Sequence, residues 1–146
     1  MSAKDGFETG LLEHIFQNAN IANIGDGTGL RGSSAAGYFW FSLYISMPDD
    51  SASGAECNYY GYGRVPCERS VSGFSVVGNN VSNASALVFG QCVSGDTDIA
   101  VGFAVNVASG VNVDDAIIWG GLQSAMSISS GTTPNFAIGD LNINVD

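Results

Sequence analysis

The sequence predicts an all-β fold: an antiparallel β-sandwich or jelly-roll-like domain of about eight strands, preceded by one short N-terminal α-helix and a glycine-rich arm. Three observations carry this. Only 12% of the 146 residues are charged, against roughly a quarter in ordinary soluble domains, while 45% are hydrophobic and 20 are glycine. Lys, Glu, Gln and Arg, the side chains that favour helices, are correspondingly scarce, and Ser, Asn and Thr take over the surface. From residue 38 onward, short strand-like runs alternate with turn residues at intervals of about ten to fifteen residues.

The first element is the exception. Between Asp5 and about Ala19, Phe7, Leu11, Leu12, Ile15 and Phe16 recur at three- and four-residue spacing, the mark of an amphipathic helix. Asp5 suits its N-cap, with Glu8 three residues on as in a capping box, and Asn18 and Asn20 suit its end. Ile21 to Gly37 has no sustained periodicity and reads as an arm, which divides the chain into an N-terminal helix and arm, 1–37, and a β domain, 38–146. The near-continuous apolar run Tyr38 to Met47, stopped by Pro48 and Asp49-Asp50, predicts a strand buried on both faces. Further strands are expected near Tyr60–Val65, Gly73–Val77, Ala86–Phe89, Ile99–Val107, Ala116–Gly120, Ser124–Ile128 and Leu141–Val145. Gly78-Asn79-Asn80, Ser94-Gly95-Asp96, Ser109-Gly110 and Ser130-Gly131 punctuate them.

Several function classes are disfavoured by charge and spacing. Fourteen acids against four basic residues give a net charge of −10, and Lys4, Arg31, Arg64 and Arg69 are scattered, so no cationic patch for nucleic acid is expected. The run Tyr38–Met47 is about half the length that spans a bilayer, and no apolar signal segment opens the chain, so no membrane partner is expected. Cys57, Cys67 and Cys92 are odd in number and lack C-x-x-C spacing, which favours free thiols in a reducing compartment over a disulfide framework, a single bridge remaining as the alternative.

Gly27, Gly29 and Gly32 match the G-x-G-x-x-G spacing of dinucleotide sites, but a helix precedes them and a strand follows, the reverse of the order that aims a helix N-terminus at a pyrophosphate. His14 is the sole histidine and there is no G-x-S-x-G elbow, so no catalytic residues are assigned. The carboxylates Asp49-Asp50, Asp96 with Asp98, and Asp114-Asp115 read as solvated turn formers rather than a glycosidase pair or a calcium loop. No cofactor or metal is expected. Asn80-Val81-Ser82 and Asn83-Ala84-Ser85 are formal glycosylation sequons without a secretory context. The Tyr59, Tyr60 and Tyr62 cluster sits in an expected loop and fits an exposed interface better than a sugar- or base-stacking platform.

Taken in order, "LLEHIFQNANIANIGDGTGLRGSSAAG", "YFWFSLYISMP", "YYGYGRVPCERS", "VVGNNVSNASALVF" and "SISSGTTPNFAIGDLNIN" resemble a family of small tailed-bacteriophage virion structural proteins, of the head-decoration, cement or tail-fibre-like kind. Tyr60-Gly61-Tyr62-Gly63-Arg64 stands where that family has Tyr-Gly-Tyr-Ala-Arg, and Ser46-Met47 replaces its Thr-Ala. The resemblance implies a β-sandwich subunit assembled from the bacterial host cytoplasm onto the virion in multiple copies, frequently about a three-fold axis. It carries over no catalytic residues.

The functional expectation is therefore a capsid decoration or cement protein, a homotrimer that joins neighbouring major capsid subunits. A tail, baseplate or fibre-associated subunit is the alternative, and a carbohydrate- or host-receptor-binding module the second. Phe7, Leu11, Ile15, Phe16, Arg31, Tyr59, Tyr60 and Tyr62 are the expected subunit-interface residues.

Overall fold

One α-helix, α1 (Asp5–Gln17), opens the chain, and ten strands follow it: β1 (Tyr38–Ser46), β2 (Ala55–Glu56), β3 (Val65–Glu68), β4 (Phe74–Val77), β5 (Asn80–Asn83), β6 (Leu87–Val88), β7 (Asp98–Asn106), β8 (Ala116–Ile128), β9 (Asn135–Phe136) and β10 (Asn142–Asn144). This computed structural model describes residues 3–22, 24–25, 29–94, 97–112 and 114–144. The fold is all-β with antiparallel sheets and one short N-terminal helix, as the composition predicts. Gly27, Gly95, Asp96 and Val145, which figure in the motif, turn and strand expectations, lie outside the described residues.

By packing, the chain forms two compact units that interleave along the sequence. One unit comprises Met1–Tyr38, Cys67–Ala86 and Phe136–Asp146, the other Phe39–Pro66 and Leu87–Asn135.

In the first unit α1 packs on the three-stranded sheet β10-β5-β4. The amphipathic pattern explains the docking: Leu12 and Phe16 are buried, and Phe16 meets Phe74 edge-on with ring centroids 5.1 Å apart. Burying two such side chains is worth about 1.5–3 kcal/mol each. The helix start differs from the expected cap, while Asn18 closes the end as expected. Lys4, with no side-chain cap, precedes the first turn, and Asp5 and Glu8 contribute there as acids near the positive end of the helix dipole. Asn18 closes the helix in the left-handed conformation, φ 57°, a geometry asparagine tolerates well.

Arg69 completes that end. Its guanidinium donates to the carbonyls of Ile15 at 2.7 Å and His14 at 3.1 Å, satisfying helix acceptors that have no partner within the helix. Buried Asn83 accepts from the Leu141 amide and donates to the Ala137 and Ser85 carbonyls, tying the C-terminal segment to β5. That burial takes the second sequon's asparagine out of solvent.

The second unit is built on the path β2-β1-β7-β8, with β3 also pairing with β1. β1 is buried on both faces, as its unbroken apolar run predicts: Phe41 and Leu43 lie on one face, Ser42 and Tyr44 on the other. Ser42 opposes Ala104, and Asn106 donates its side-chain amide to the Trp40 carbonyl and the Ser42 hydroxyl, pinning β1 to β7. β6 and β9 form a two-stranded ladder.

Two expected strands are one. Ala116–Gly120 and Ser124–Ile128 belong to β8, which runs unbroken through Gly120-Gly121. Phe103 opposes Gly120, and a methyl group at Gly120 would press on its ring at 3.3 Å, so an aromatic from the neighbouring strand fills the space a side chain would take. Irregularities fall on either side: Ala100 faces Met126 while Gly102 faces Gly121, so two steps along β7 meet five along β8, and Val105 faces Ile118 while Asn106 faces Ala116, so one step meets two.

Candidate functional site

The most organised polar constellation lies inside the second unit and was not assigned from sequence. Arg64, at the end of the tyrosine-glycine segment, donates Nε to Glu56 Oε1 and Nη2 to Glu56 Oε2, both at 3.0 Å, in a two-pronged pair. Its Nη1 reaches Asp115 Oδ1 at 2.7 Å and the Ala108 carbonyl at 2.8 Å. The side chains of Arg64 and Glu56 are 0% and 1% exposed, and that of Asp115 10%.

Neutral donors complete the network. The Tyr62 hydroxyl donates to Glu56 Oε1 at 2.6 Å and accepts from the Leu43 amide, while the Asn112 amide donates to Glu56 Oε2. Asp115 Oδ2 accepts from the Ala108 amide at 2.6 Å. The connection between β7 and β8 is thereby clipped to β2. Burial acts against the Arg64 charge, yet the hydrogen bonds and charges of Glu56 and Asp115 outweigh it and hold the guanidinium above its ordinary pKa. Burial, reinforced by the hydrogen bond to Glu56, pushes the Tyr62 phenol up.

A cleft of about 70 Å³ opens beside this network, lined by Tyr44, Ser53, Gly54, Glu56 and Asn112. It is small, and the Glu56 oxygens on its wall are already committed to Arg64, Tyr62 and Asn112. Among the described residues no group of three or more His, Cys, Asp and Glu side chains is placed to hold a metal ion, and no helix is long and apolar enough to cross a membrane.

Two carboxylates outside the network serve the backbone. Asp49 Oδ1 accepts from the Ser51 amide and hydroxyl and the Ala52 amide, a turn-forming role that lowers its pKa. Asp98 Oδ2 accepts from the Asn58 and Tyr59 amides. His14 donates Nδ1–H to the Ala19 carbonyl at 2.7 Å, fastening the helix end. All three cysteines are buried, and burial pushes the Cys57 thiol up to about 12.

The expected interface residues scatter between core and surface. Phe7 and Tyr60 are exposed, at 47% and 66%, and Arg31 is also exposed. Leu11 and Ile15 are half-buried, while Phe16 is wholly buried against Phe74 of its own chain. Tyr59 is core: its hydroxyl donates to the Gly90 carbonyl, and its ring meets Tyr62 edge-on at 5.3 Å. Tyr62 in turn stacks on Phe89. The segment turns inward because Gly61, at φ 102°, lets the chain reverse hard against the Gln91 carbonyl.

The described glycines of the motif, Gly29 and Gly32, lie where the chain folds back on the helix end. Ile21 and Leu30 bridge antiparallel, Gly32 N–H donates to Asn20 Oδ1, and Ser33 N–H donates to Asn18 Oδ1. At both Gly29 and Gly32 a side chain would collide with backbone from the 18–22 segment. Gly29 and Gly32 thus serve close chain approach.

The chain is all-β, and its buried charges Glu56, Arg64 and Asp115 are spent on one another. A family model described as podophage GP4 fiber I protein gp80 matches residues 3–144, and the chain belongs to that family of tailed-phage virion structural proteins. No match was found among curated proteins.

Proposed function

We propose that the chain is a structural subunit associated with the tail or fibres of a podophage virion, assembled in the host cytoplasm in multiple copies, whose work is contact rather than catalysis. The family match over residues 3–144, with its fibre description, carries this reading. It moves the balance away from the capsid-cement role expected from the resemblance and towards its tail-associated alternative. The geometry supports contact as the task, since Glu56, Asp98 and Asp115 are occupied by internal partners. A tyrosine platform for glycans loses support, because Tyr59 is core and Tyr62 is bonded to Glu56, leaving Tyr60 as the exposed member.

Mass spectrometry of separated heads and tails from disrupted particles tests the location. Recovery with tails, at a few to dozens of copies per particle, is expected; recovery with heads alone, at hundreds of copies, would restore the cement reading. The three-fold grouping implied by the resemblance is the expected particle arrangement, and cryo-EM of intact particles measures it.

A further inference from the structure

Gly102 lies on β7, an inner strand of the path β2-β1-β7-β8, where it faces Tyr44 on β1 and Gly121 on β8. The place its side chain would take is filled from another part of the chain. Sδ of Met47 stands where a Cβ at Gly102 would be built, Met47 Cε is 2.8 Å from that point, and so is the Gly120 carbonyl oxygen. Glycine at 102 therefore makes a seat that the thioether occupies in direct contact with the strand backbone.

Met47 begins the connection from β1 to β2, residues 47–54, and that connection is drawn tight. Asp49 and Ala52 bridge across it, and Gly54, at φ 69°, comes so close to the Ser46 carbonyl and the Pro48 nitrogen that a side chain there would collide. Ser53 and Gly54 line the cleft beside Glu56, and Ala55 and Glu56 pair back onto β1. What holds Met47 on β7 thus also holds the return limb beside the buried charges. Met47 is not sealed in: it is half-buried, and Ser46 before it and Asp49 after it are exposed.

Thioether sulfur is oxidised by peroxides, and the product is polar and chiral where the reactant was apolar. We propose that Met47 is an oxidation site: a hydroperoxide converts it to the sulfoxide and frees the 47–54 connection from β7. In this step an Sδ–O bond forms as the O–O bond breaks, the sulfur gives up two electrons to the peroxide, and the proton of the transferred oxygen leaves on the departing oxygen, as water when the oxidant is hydrogen peroxide. The sulfoxide no longer fits the seat. Its oxygen brings partial negative charge into a space already shared with the Gly120 carbonyl oxygen, and turning away from it lifts the side chain off Gly102. Thiols compete poorly, since burial holds Cys57 and Cys67 above their ordinary pKa and keeps them protonated.

This inference concerns the isolated chain and does not rest on the tail or fibre assignment, so either can fail without the other. The test is hydrogen peroxide treatment of the native full chain, followed by peptide mass spectrometry and hydrogen exchange. One added oxygen is expected at Met47, with Cys57 and Cys67 still thiols. Exchange across residues 44–57 should then quicken at least about ten-fold, the factor that losing the burial of one such side chain gives, and methionine sulfoxide reductase should restore it. Met47→Leu, which keeps apolar volume, is expected to abolish the response to peroxide, and Met126→Leu, on β8, to preserve it. Circular dichroism checks that the variants fold; if Met47→Leu does not, reversal by the reductase in the wild type decides. A native chain whose Met47 resists peroxide, a Met47 sulfoxide with exchange unchanged or not restored by the reductase, or a response that Met47→Leu retains or Met126→Leu abolishes overturns the proposal.

Discussion

Arg64→Ala removes the centre of the buried network and leaves its two carboxylates behind. Glu56 would keep the Tyr62 hydroxyl and the Asn112 amide, and Asp115 would keep the Ala108 amide. Both would remain as buried negative charges without a cation. Because the Arg64 and Glu56 side chains are 0% and 1% exposed, solvent screening cannot rescue them, and breaking such a pair costs about 3–5 kcal/mol. Against a total stability of about 5–15 kcal/mol this is a large fraction. At about 2–4 °C per kcal/mol for a chain near this length, Tm should fall by about 10 °C. Urea unfolding and differential scanning fluorimetry measure both quantities. The triple variant Glu56→Gln, Arg64→Met, Asp115→Asn removes all three charges together and should recover most of the loss, since a buried pair replaced as a unit is often close to neutral. An Arg64→Ala cost below about 1 kcal/mol, the value of a surface pair, would refute the reasoning.

Three further outcomes are expected. The Cys57 thiol, with an ordinary value of 9.0 and a folded value of about 12, binds its proton more tightly in the native state, so the stability it contributes is complete below 9.0 and lost as pH rises towards 12. Raised values at Cys67, Tyr59 and Tyr62 act in the same direction, each group contributing at most about 1.4 kcal/mol per pH unit. Urea midpoints that rise through this alkaline range would contradict this. Gly61→Ala should destabilise by about 1–3 kcal/mol or more, because alanine is strained at φ 102° and its methyl meets the Gln91 carbonyl; an unchanged thermal midpoint would argue against the inward turn. Arg31→Ala, at an exposed position, should alter stability by no more than about 0.5 kcal/mol while reducing incorporation into particles, measured by quantitative mass spectrometry of purified virions; full incorporation would remove Arg31 from the interface.

Local pattern revealed what is locally determined. The spacing of Leu12 and Phe16 marks the docked helix face, and the uninterrupted run of β1 marks a strand covered on both sides. Asp49 reads as a turn former because its partners are two and three residues away. What depends on distant chain was not legible. Gly120-Gly121 looks like a strand break until Phe103, from another strand, is seen against Gly120. Glu56, Arg64 and Asp115 read as isolated charges because Asp115 comes from 51 positions along the chain, and only strand pairing brings it to Arg64. The cluster at Tyr59 looked exposed because nothing local reports that Gly61 folds against Gln91.

The interleaving of the two units bears on how the chain comes into being. A ribosome releases residues in order, yet the unit that begins with α1 cannot complete its three-stranded sheet until β10, Asn142–Asn144, is available to pair with β5. The other unit, Phe39–Pro66 with Leu87–Asn135, has all its residues earlier. Synthesis therefore splits the assembly of that unit in time: Leu12 and Phe16 can meet β4 and β5 once residue 83 has emerged, but β5 keeps an unpaired side until β10 arrives, after the other unit's residues have all been made.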